Sequence, residues 1–486
     1  MFPWKSTISI HRAGSKPLYL QLTEQLIQEI SSGRLAPGLK LPGTRVLSEI
    51  LNVNRKTVQN CYDELLAQGW LITKPSSGTY VSHTLPISNF EKLEASEIES
   101  PNVVGHSQRF NLEFIPNYKP AKTRLSFDGG SPDSRLAPWK WIFRESQSIL
   151  LSRKNKTVAN YNDAKGDVHF REILAKYLAE SRGLNIAKDN ILVTEGSQMG
   201  IYLSLHGILN PNDIVVVGDS SYDAADWTIQ SSGAKIQRVT VDENGLDIDK
   251  LEQLCSKKNI RLVYITPHHH FPTTVTLSNE RRIKLLNLSS HYGFTILEDD
   301  YDYDFHYSSN PILPLASLNP VGNVIYIGSF SKLLAANVRV GYVVANQHLI
   351  ESFSKHRRIV GRQGDHLMQH VIAEAILTGE LNRHLKKSCQ TYKQRRDLMA
   401  KIITTDMSDF IKFRLPEGGM AIWAHFIDVN LPQLHEAINR NGLNLDIDRD
   451  LSRKFNAARI GFASVNENEI LEGMEILKTS LKQLAS

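Results

Sequence analysis

The stretch Val324-Ile325-Tyr326-Ile327-Gly328-Ser329-Phe330-Ser331-Lys332 joins an apolar run to a loop of small and hydroxyl residues that ends in an amine. Four consecutive large apolar residues stopped by a glycine read as a strand buried on both faces, the kind found in sheets covered by helices on each side. Runs of the same type surround it: Ile191-Leu192-Val193, Ile214-Val215-Val216-Val217, Leu262-Val263-Tyr264-Ile265, Phe294-Thr295-Ile296-Leu297 and Tyr342-Val343-Val344. Helical stretches separate them. The alternation predicts an α/β domain with a largely parallel central sheet, then a helical region over 365–410 and a smaller closing α+β unit.

In such a sheet ligands bind beyond the carboxyl ends of the strands, so the residues directly after each run are the first candidates for chemistry. Glu298-Asp299-Asp300-Tyr301 follow Leu297, and Thr194-Glu195-Gly196-Ser197-Gln198 follow Val193. The second of these opens a helix, whose free amides and dipole attract an anion. Ser329 and Ser331 beside Lys332, with Arg339 shortly after, supply further phosphate ligands next to an amine. A Schiff-base lysine, a carboxylate for a pyridine nitrogen and a phosphate cup are what pyridoxal phosphate requires. Singly, a loop lysine is more often a surface residue and an Asp after a strand a turn former; order and spacing carry this reading.

The N-terminal part has a different pattern. Tyr19, Leu22, Leu26, Ile27 and Ile30 recur at helical spacing up to Gly33. A short helix from Thr44 carries Val46, Leu47, Ile50 and Leu51, and a third begins after Asn54, a good cap. Its stripe Val58, Cys61, Tyr62, Leu65, Leu66 faces inward, leaving Arg55, Lys56, Gln59 and Asn60 outward. Two helices joined by a tight turn form a helix-turn-helix, whose second helix enters the major groove of DNA. Trp70-Leu71-Ile72 and Thr79-Tyr80-Val81, joined by Pro75-Ser76-Ser77-Gly78, read as the hairpin of a wing, with Lys74 at its foot. The competing reading is a three-helix protein-binding module.

Between the two parts, residues 84–122 lack periodicity, hold Pro86, Pro101, Pro116 and Pro120, and cluster Glu91, Glu94, Glu97 and Glu99. This stretch reads either as a partly extended tether or as a loop packed on its own domain. The expected boundaries are 12–83 for the winged helix and 123–486 for the α/β domain, with a small C-terminal subdomain over 365–486.

Composition agrees with this division. The chain has 486 residues, 41% of them hydrophobic and 22% charged, which predicts several globular domains. Three scattered cysteines exclude a disulfide framework. No apolar run reaches the length of a membrane span and the start lacks a signal-peptide core, so a cytoplasmic protein is expected. The net charge of +5 is unevenly placed: residues 1–85 hold 9 Lys and Arg against 5 Asp and Glu. The remaining chain is nearly neutral. His268-His269-His270 suggests a metal at first sight, but adjacent side chains in an extended segment alternate faces, and no metal is expected.

The N-terminal motifs Pro17-Leu18-Tyr19, Ser32-Gly33-Arg34-Leu35, Leu41-Pro42-Gly43-Thr44-Arg45, Val53-Asn54-Arg55-Lys56-Thr57-Val58 and Gly78-Thr79-Tyr80-Val81 resemble the winged helix of the GntR superfamily. By that resemblance Arg45, Arg55, Thr57 and Gly78 contact DNA, and Lys56, Gln59 and Lys74 join them from the residue reading. Asn54 stands where the family usually has Ser. From about 125 to 480 the chain resembles fold type I aminotransferases, and more closely the aminotransferase-like domain of the MocR subfamily of GntR regulators. The motifs include Gly196-Ser197-Gln198, Glu298-Asp299-Asp300-Tyr301, Ser329-Phe330-Ser331-Lys332, Arg339-Val340-Gly341-Tyr342 and Arg459-Ile460-Gly461-Phe462.

The resemblance implies that Lys332 forms an aldimine with pyridoxal phosphate, that Asp299 holds the pyridinium proton and that Tyr301 bonds the ring hydroxyl. Tyr222 stacks on the ring, or else is a core tyrosine. Gly196, Ser197, Gln198, Ser329, Ser331 and Arg339 take the phosphate, Tyr161 reaches the phosphate of a partner subunit in a homodimer, and Arg459 pairs with the carboxylate of an effector. Two motifs depart from the family: Thr274 replaces a glycine after Pro272-Thr273, and the usual Pro-Gly is lost at Ala336-Asn337. The implied function is transcription regulation: operator DNA is read by the winged helix, while pyridoxal phosphate or an amino-compound effector is sensed at Lys332. The alternative is a working aminotransferase, and whether transamination turns over is left open.

Overall fold

The computed structural model describes residues 2–12, 16–86, 114–116, 123–152, 158–307, 312–318, 322–447 and 454–485. Two compact units are present, Met1–Ser107 and Gln108–Ser486. Apart from 84–86 and 114–116, the stretch that the sequence reads as a tether or loop lies outside the described residues.

In the first unit the helices Leu18–Ser31, Thr44–Ile50 and Arg55–Ala67 pack around Leu22, Leu26, Leu47, Val58, Cys61 and Leu65. Asn54 caps the third helix by accepting the amide of Lys56 at 2.8 Å, which fixes where that helix begins. Strands β1 (Leu71–Lys74) and β2 (Gly78–Val81) form an antiparallel hairpin in which Lys74 pairs with Gly78. Trp4 and Ile8, ahead of the expected start at residue 12, belong to the same core. Val46, by contrast, is 52% exposed, because a short helix presents only Leu47 of that pair inward.

The second unit is built on a seven-stranded sheet. Its strands are β4 (Ile191–Thr194), β5 (Ile214–Gly218), β6 (Lys235–Val239), β9 (Ile260–Ile265), β10 (Thr295–Asp300), β11 (Val324–Ser329) and β12 (Gly341–Val344). The two-residue strands β7 (Val241–Asp242) and β8 (Gly245–Leu246) form a small ribbon after β6. The order across the large sheet is β4-β12-β11-β10-β9-β5-β6, all parallel except β12, which is antiparallel to both neighbours. Alternate residues feed two separate cores: Leu192, Val215, Leu262, Leu297 and Ile325 on one face, Val193, Val216, Val263, Ile296 and Val324 on the other. Burial on both faces is why these strands read as continuous apolar runs.

The smaller lobe is assembled from both ends of this unit. Strand β3 (Leu125–Phe127) pairs in parallel with β15 (Leu443–Leu445), while β13 (Ile411–Phe413), β14 (Ala421–Phe426) and β16 (Ala457–Gly461) form an antiparallel sheet. Leu125 and Phe127 share its core with Tyr392, Ile422, Leu434 and Ile470. The lobe expected over 365–486 therefore also recruits the residues around 125. Conversely, Ile372 and Ala373, in the helix His366–Leu377, pack with the large sheet.

Candidate functional site

The carboxyl ends of β4, β10 and β11 bring the chemistry-bearing residues of the second unit together. Lys332, just past β11, donates from Nζ to the carbonyl of Gly130 at 2.8 Å. Burial lowers its pKa, partly offset by the carboxylates of Asp128, Asp302 and Asp299, while Arg459 adds to the lowering. A lysine in this setting loses its proton more readily than one in water.

Asp299 is buried near the end of β10. Its Oδ2 accepts from the phenol of Tyr264 at 2.8 Å, and its Oδ1 is buried without a hydrogen-bond partner. Burial pushes this carboxyl up to about 7 against the lowering effect of the Tyr264 hydrogen bond. A buried carboxylate oxygen without a donor is costly, and a cationic N–H placed opposite it removes that cost. Tyr222, at the start of the helix Asp223–Ser231, lies close enough to Asp299 and Arg339 for both to act on its phenol, whose pKa burial raises. Its ring meets Phe271 edge-on at 5.5 Å. Tyr301 donates to the carbonyl of His269 at 2.9 Å and accepts from Arg459 at 3.3 Å.

An anion cradle adjoins these groups. Gly196, at φ 78°, caps the helix Ser197–Ile208, so the first amides of that helix are without intrahelical partners. The left-handed backbone at Gly196 is one that L side chains rarely adopt, and a Cβ there would also press on the Arg339 guanidinium at 3.0 Å. Arg339 itself donates to the Glu195 carbonyl at 2.7 Å from a left-handed backbone with φ 49°. The Ser329 hydroxyl accepts the amide of Ser331 at 3.1 Å, and the Ser331 hydroxyl is buried without a partner. Gln198 turns its side-chain amide to Ala224 and Thr228, leaving its backbone amide for the cradle. The unpartnered Asp299 and Ser331 oxygens, the glycine-lined helix start and the tyrosine face together fit a flat heteroaromatic cation bearing a phosphate.

Arg459 is buried on β16. It donates to the carbonyls of Gly129 at 2.6 Å and Pro272 at 3.3 Å, and lies 5.0 Å from the ring centre of Phe271. Tyr161 stands apart from this cluster, 75% exposed, with the Arg362 guanidinium 3.7 Å above its ring. Sequence reasoning missed Asp128, Gly129, Gly130, Tyr264 and Phe271, although Asp128-Gly129-Gly130 directly after the run Leu125-Ser126-Phe127 was a readable turn signal. The three adjacent histidines are separately engaged: His268 with Asp300 at 3.1 Å, His269 with Asp302 at 2.8 Å and His270 with Thr273 at 2.9 Å. Among the described residues no group of histidines, cysteines and carboxylates is placed to hold a metal ion. No described helix is long and apolar enough to cross a membrane.

Residues 132–477 match the aminotransferase class I and II family. The chain belongs to that family. Residues 18–81 match the gntR family of bacterial regulatory proteins, so a GntR DNA-binding domain is fused to an aminotransferase domain. Over nearly its whole length this aminotransferase-family chain is similar to the probable rhizopine catabolism regulatory protein MocR of Rhizobium meliloti, 26% identical over 98% of this chain and 96% of that protein. Aromatic-amino-acid aminotransferase 1 of Thermococcus litoralis is 31% identical over 74% of this chain and 88% of its own length. The crystal structure of a multiple substrate aminotransferase from Thermococcus profundus superposes with a TM-score of 0.70 at 27% identity, covering 76% of this chain and 93% of that one.

In the GntR domain Arg45, Arg55, Lys56 and Gln59 are exposed, and Thr57 is half-buried. Arg55 reaches Thr44 at 3.4 Å, and Arg45 lies 3.7 Å from Glu49. On the wing the Lys74 ammonium sits 4.8 Å from the ring centre of Tyr80, whose hydroxyl meets Ser77 at 2.6 Å. Gly78 is exposed at φ 119°, a backbone open to glycine alone.

Proposed function

We propose that this protein is a cytoplasmic transcription regulator that binds operator DNA through its winged helix and senses pyridoxal phosphate, or an amino compound reacting with it, in its aminotransferase domain. The observation that carries the reading is the unpartnered Asp299 Oδ1 in a buried site that also holds Lys332, within a chain that begins with a GntR domain. Lys332 and Asp299 would hold the cofactor by its aldehyde and its ring nitrogen, with Tyr222 against the ring and Tyr301 at its hydroxyl. Its phosphate would lie on Gly196, Ser197, Gln198, Ser329, Ser331 and Arg339, with Tyr161 contributed across a homodimer.

Bound there, pyridoxal phosphate supplies an aldehyde carbon electrophilic toward amines and a protonated ring that withdraws electrons. The chain's own groups set the rest. Lys332, with its lowered pKa, can take or release a proton inside the site. Arg459 presents a planar guanidinium suited to a carboxylate, so an α-amino acid is read at both ends, amine and acid. The effector alters DNA affinity only if it prefers one conformation of the dimer over another. Operator binding in a gel-shift titration, with and without pyridoxal phosphate and candidate amino acids, tests the proposal. Binding that is absent, or indifferent to every one of these ligands, sinks it.

One finding favours a second reading, catalytic transamination: Lys332, Asp299 and Arg459 are all present, in a chain 31% identical to an aminotransferase over 74% of its length. Sustained turnover of an amino acid with a keto acid, together with no salt-sensitive DNA binding, would establish that reading instead.

A further inference from the structure

A cavity of about 530 Å³ opens between the two lobes of the second unit, and none of its lining residues belongs to the site around Lys332. Its volume is that of a small-molecule pocket. One wall is the ribbon segment Val241–Glu243 and the loop Thr273–Thr276 of the large lobe; the other is β13, β14 and Phe455 of the small lobe.

The chemistry of the walls is specific. Trp423 and Phe455 supply aromatic surface, their rings edge to face with centres 6.4 Å apart. Lys412 and Arg414 are exposed cations on one lobe, Arg414 reaching across to the Glu243 carbonyl at 3.4 Å; Glu243 and Glu417 are exposed carboxylates at the rim. Asp242 is already neutralised, since both its oxygens meet Arg281, at 2.6 and 2.7 Å. The sheet register places the cavity beside the first site. Trp423 on β14 pairs with Arg459 on β16, and His425 with Lys412, so all four lie on one face of the small sheet. The cavity is thus one strand position away from Arg459, on the far side of Trp423.

We infer that this cavity is a second small-molecule site and that it takes a zwitterionic aromatic amino acid. The ring lies against Trp423 and Phe455, the carboxylate meets Lys412 and Arg414, and the ammonium meets Glu243 or Glu417. A ligand of either single charge would leave one set of rim charges unanswered, and an aliphatic one would not cover the aromatic wall. Because the walls come from both lobes, the occupant bridges them.

The inference does not depend on cofactor binding, and calorimetry on the full chain tests it with L-tryptophan as the probe. Lys332→Ala protein is expected to retain one binding event per protomer. Lys412→Ser with Arg414→Ser, at exposed positions where the fold tolerates change, is expected to weaken that event by about tenfold or more. The same pair should leave any visible-absorbance response at Lys332 intact. Glu243→Gln with Glu417→Gln should weaken L-tryptophan but not indole-3-acetate. Loss of all binding in Lys332→Ala, or binding that ignores the rim substitutions, overturns the site. Equal affinity for indole-3-acetate, tryptamine and L-tryptophan overturns the ligand class. Absence of a visible band in every variant would count against the cofactor reading alone.

Discussion

The phenol of Tyr264 donates to Asp299 Oδ2 at 2.8 Å while Oδ1 of the same carboxylate is buried without a partner. One oxygen is thereby tied to the sheet and the other is left for a ligand. Burial raises the Asp299 pKa to about 7, from an ordinary value near 3.8. Between those values the folded state keeps a proton that the unfolded state has lost, so this group makes stability fall as pH rises from about 4 to 7. Cofactor-free protein should therefore lose stability relative to Asp299→Asn over that window, by an amount on the order of 2–4 kcal/mol. Denaturant titrations at pH 5 and pH 8 measure it, and a difference independent of pH would refute the assignment.

Lys332→Ala should remove the visible absorbance of the pyridoxal phosphate complex and the response to effector while leaving basal operator binding within about twofold, a change of roughly 0.4 kcal/mol. The GntR domain lies in the unit Met1–Ser107, and Lys332 lies in the unit Gln108–Ser486, where it donates to the Gly130 carbonyl. Gel shifts and absorbance spectra on the same preparation check this. Loss of DNA binding along with the spectrum would mean that reading and sensing are not separable.

How far this was readable in advance depended on burial. Strands β4, β5, β9, β10, β11 and β12 stood out because both their faces are covered, whereas β6, Lys-Ile-Gln-Arg-Val, has four of its five residues half-buried or exposed, two of them charged. Incomplete burial of its faces removed the apolar signal; β4, at the opposite edge, is fully buried and kept it. Lys332 and Asp299 were legible because motif and strand end coincide, whereas Arg459, in the middle of β16, was legible from its motif alone. Gly130 and Tyr264 were not, since one acts through its carbonyl and the other lies within a strand where a tyrosine reads as core. The pairing of β3 with β15 joins residues more than 300 apart, and no local pattern records it.

Arg55→Ala should cost about 1–3 kcal/mol on the operator if its guanidinium reads a base edge. The residue is exposed at the first position of the recognition helix, one residue after the Asn54 cap. Affinity for operator and for unrelated DNA, each over a range of salt, separates two roles. A loss confined to operator marks base reading; an equal loss on both, with a shallower salt slope, marks a phosphate contact.

Thr274 is the residue where sequence and backbone disagree. Its φ is 61°, in the left-handed region, where a β-branched side chain crowds the backbone. The conformation is held by neighbours: its amide donates to the His270 carbonyl at 2.7 Å, and the amide of His270 donates to Val275 at 2.8 Å. Strain of this kind costs on the order of 1–3 kcal/mol. Asn tolerates the left-handed region without the extra unfolded-state freedom of Gly, so Thr274→Asn isolates the strain. The variant should be more stable by about 1 kcal/mol, read as a higher denaturation midpoint at unchanged slope. If the cavity beside this loop binds an amino acid, the same variant should bind it more weakly, since the threonine methyl is lost from its wall. A variant that is less stable than the parent would show that packing at Thr274 outweighs its backbone strain.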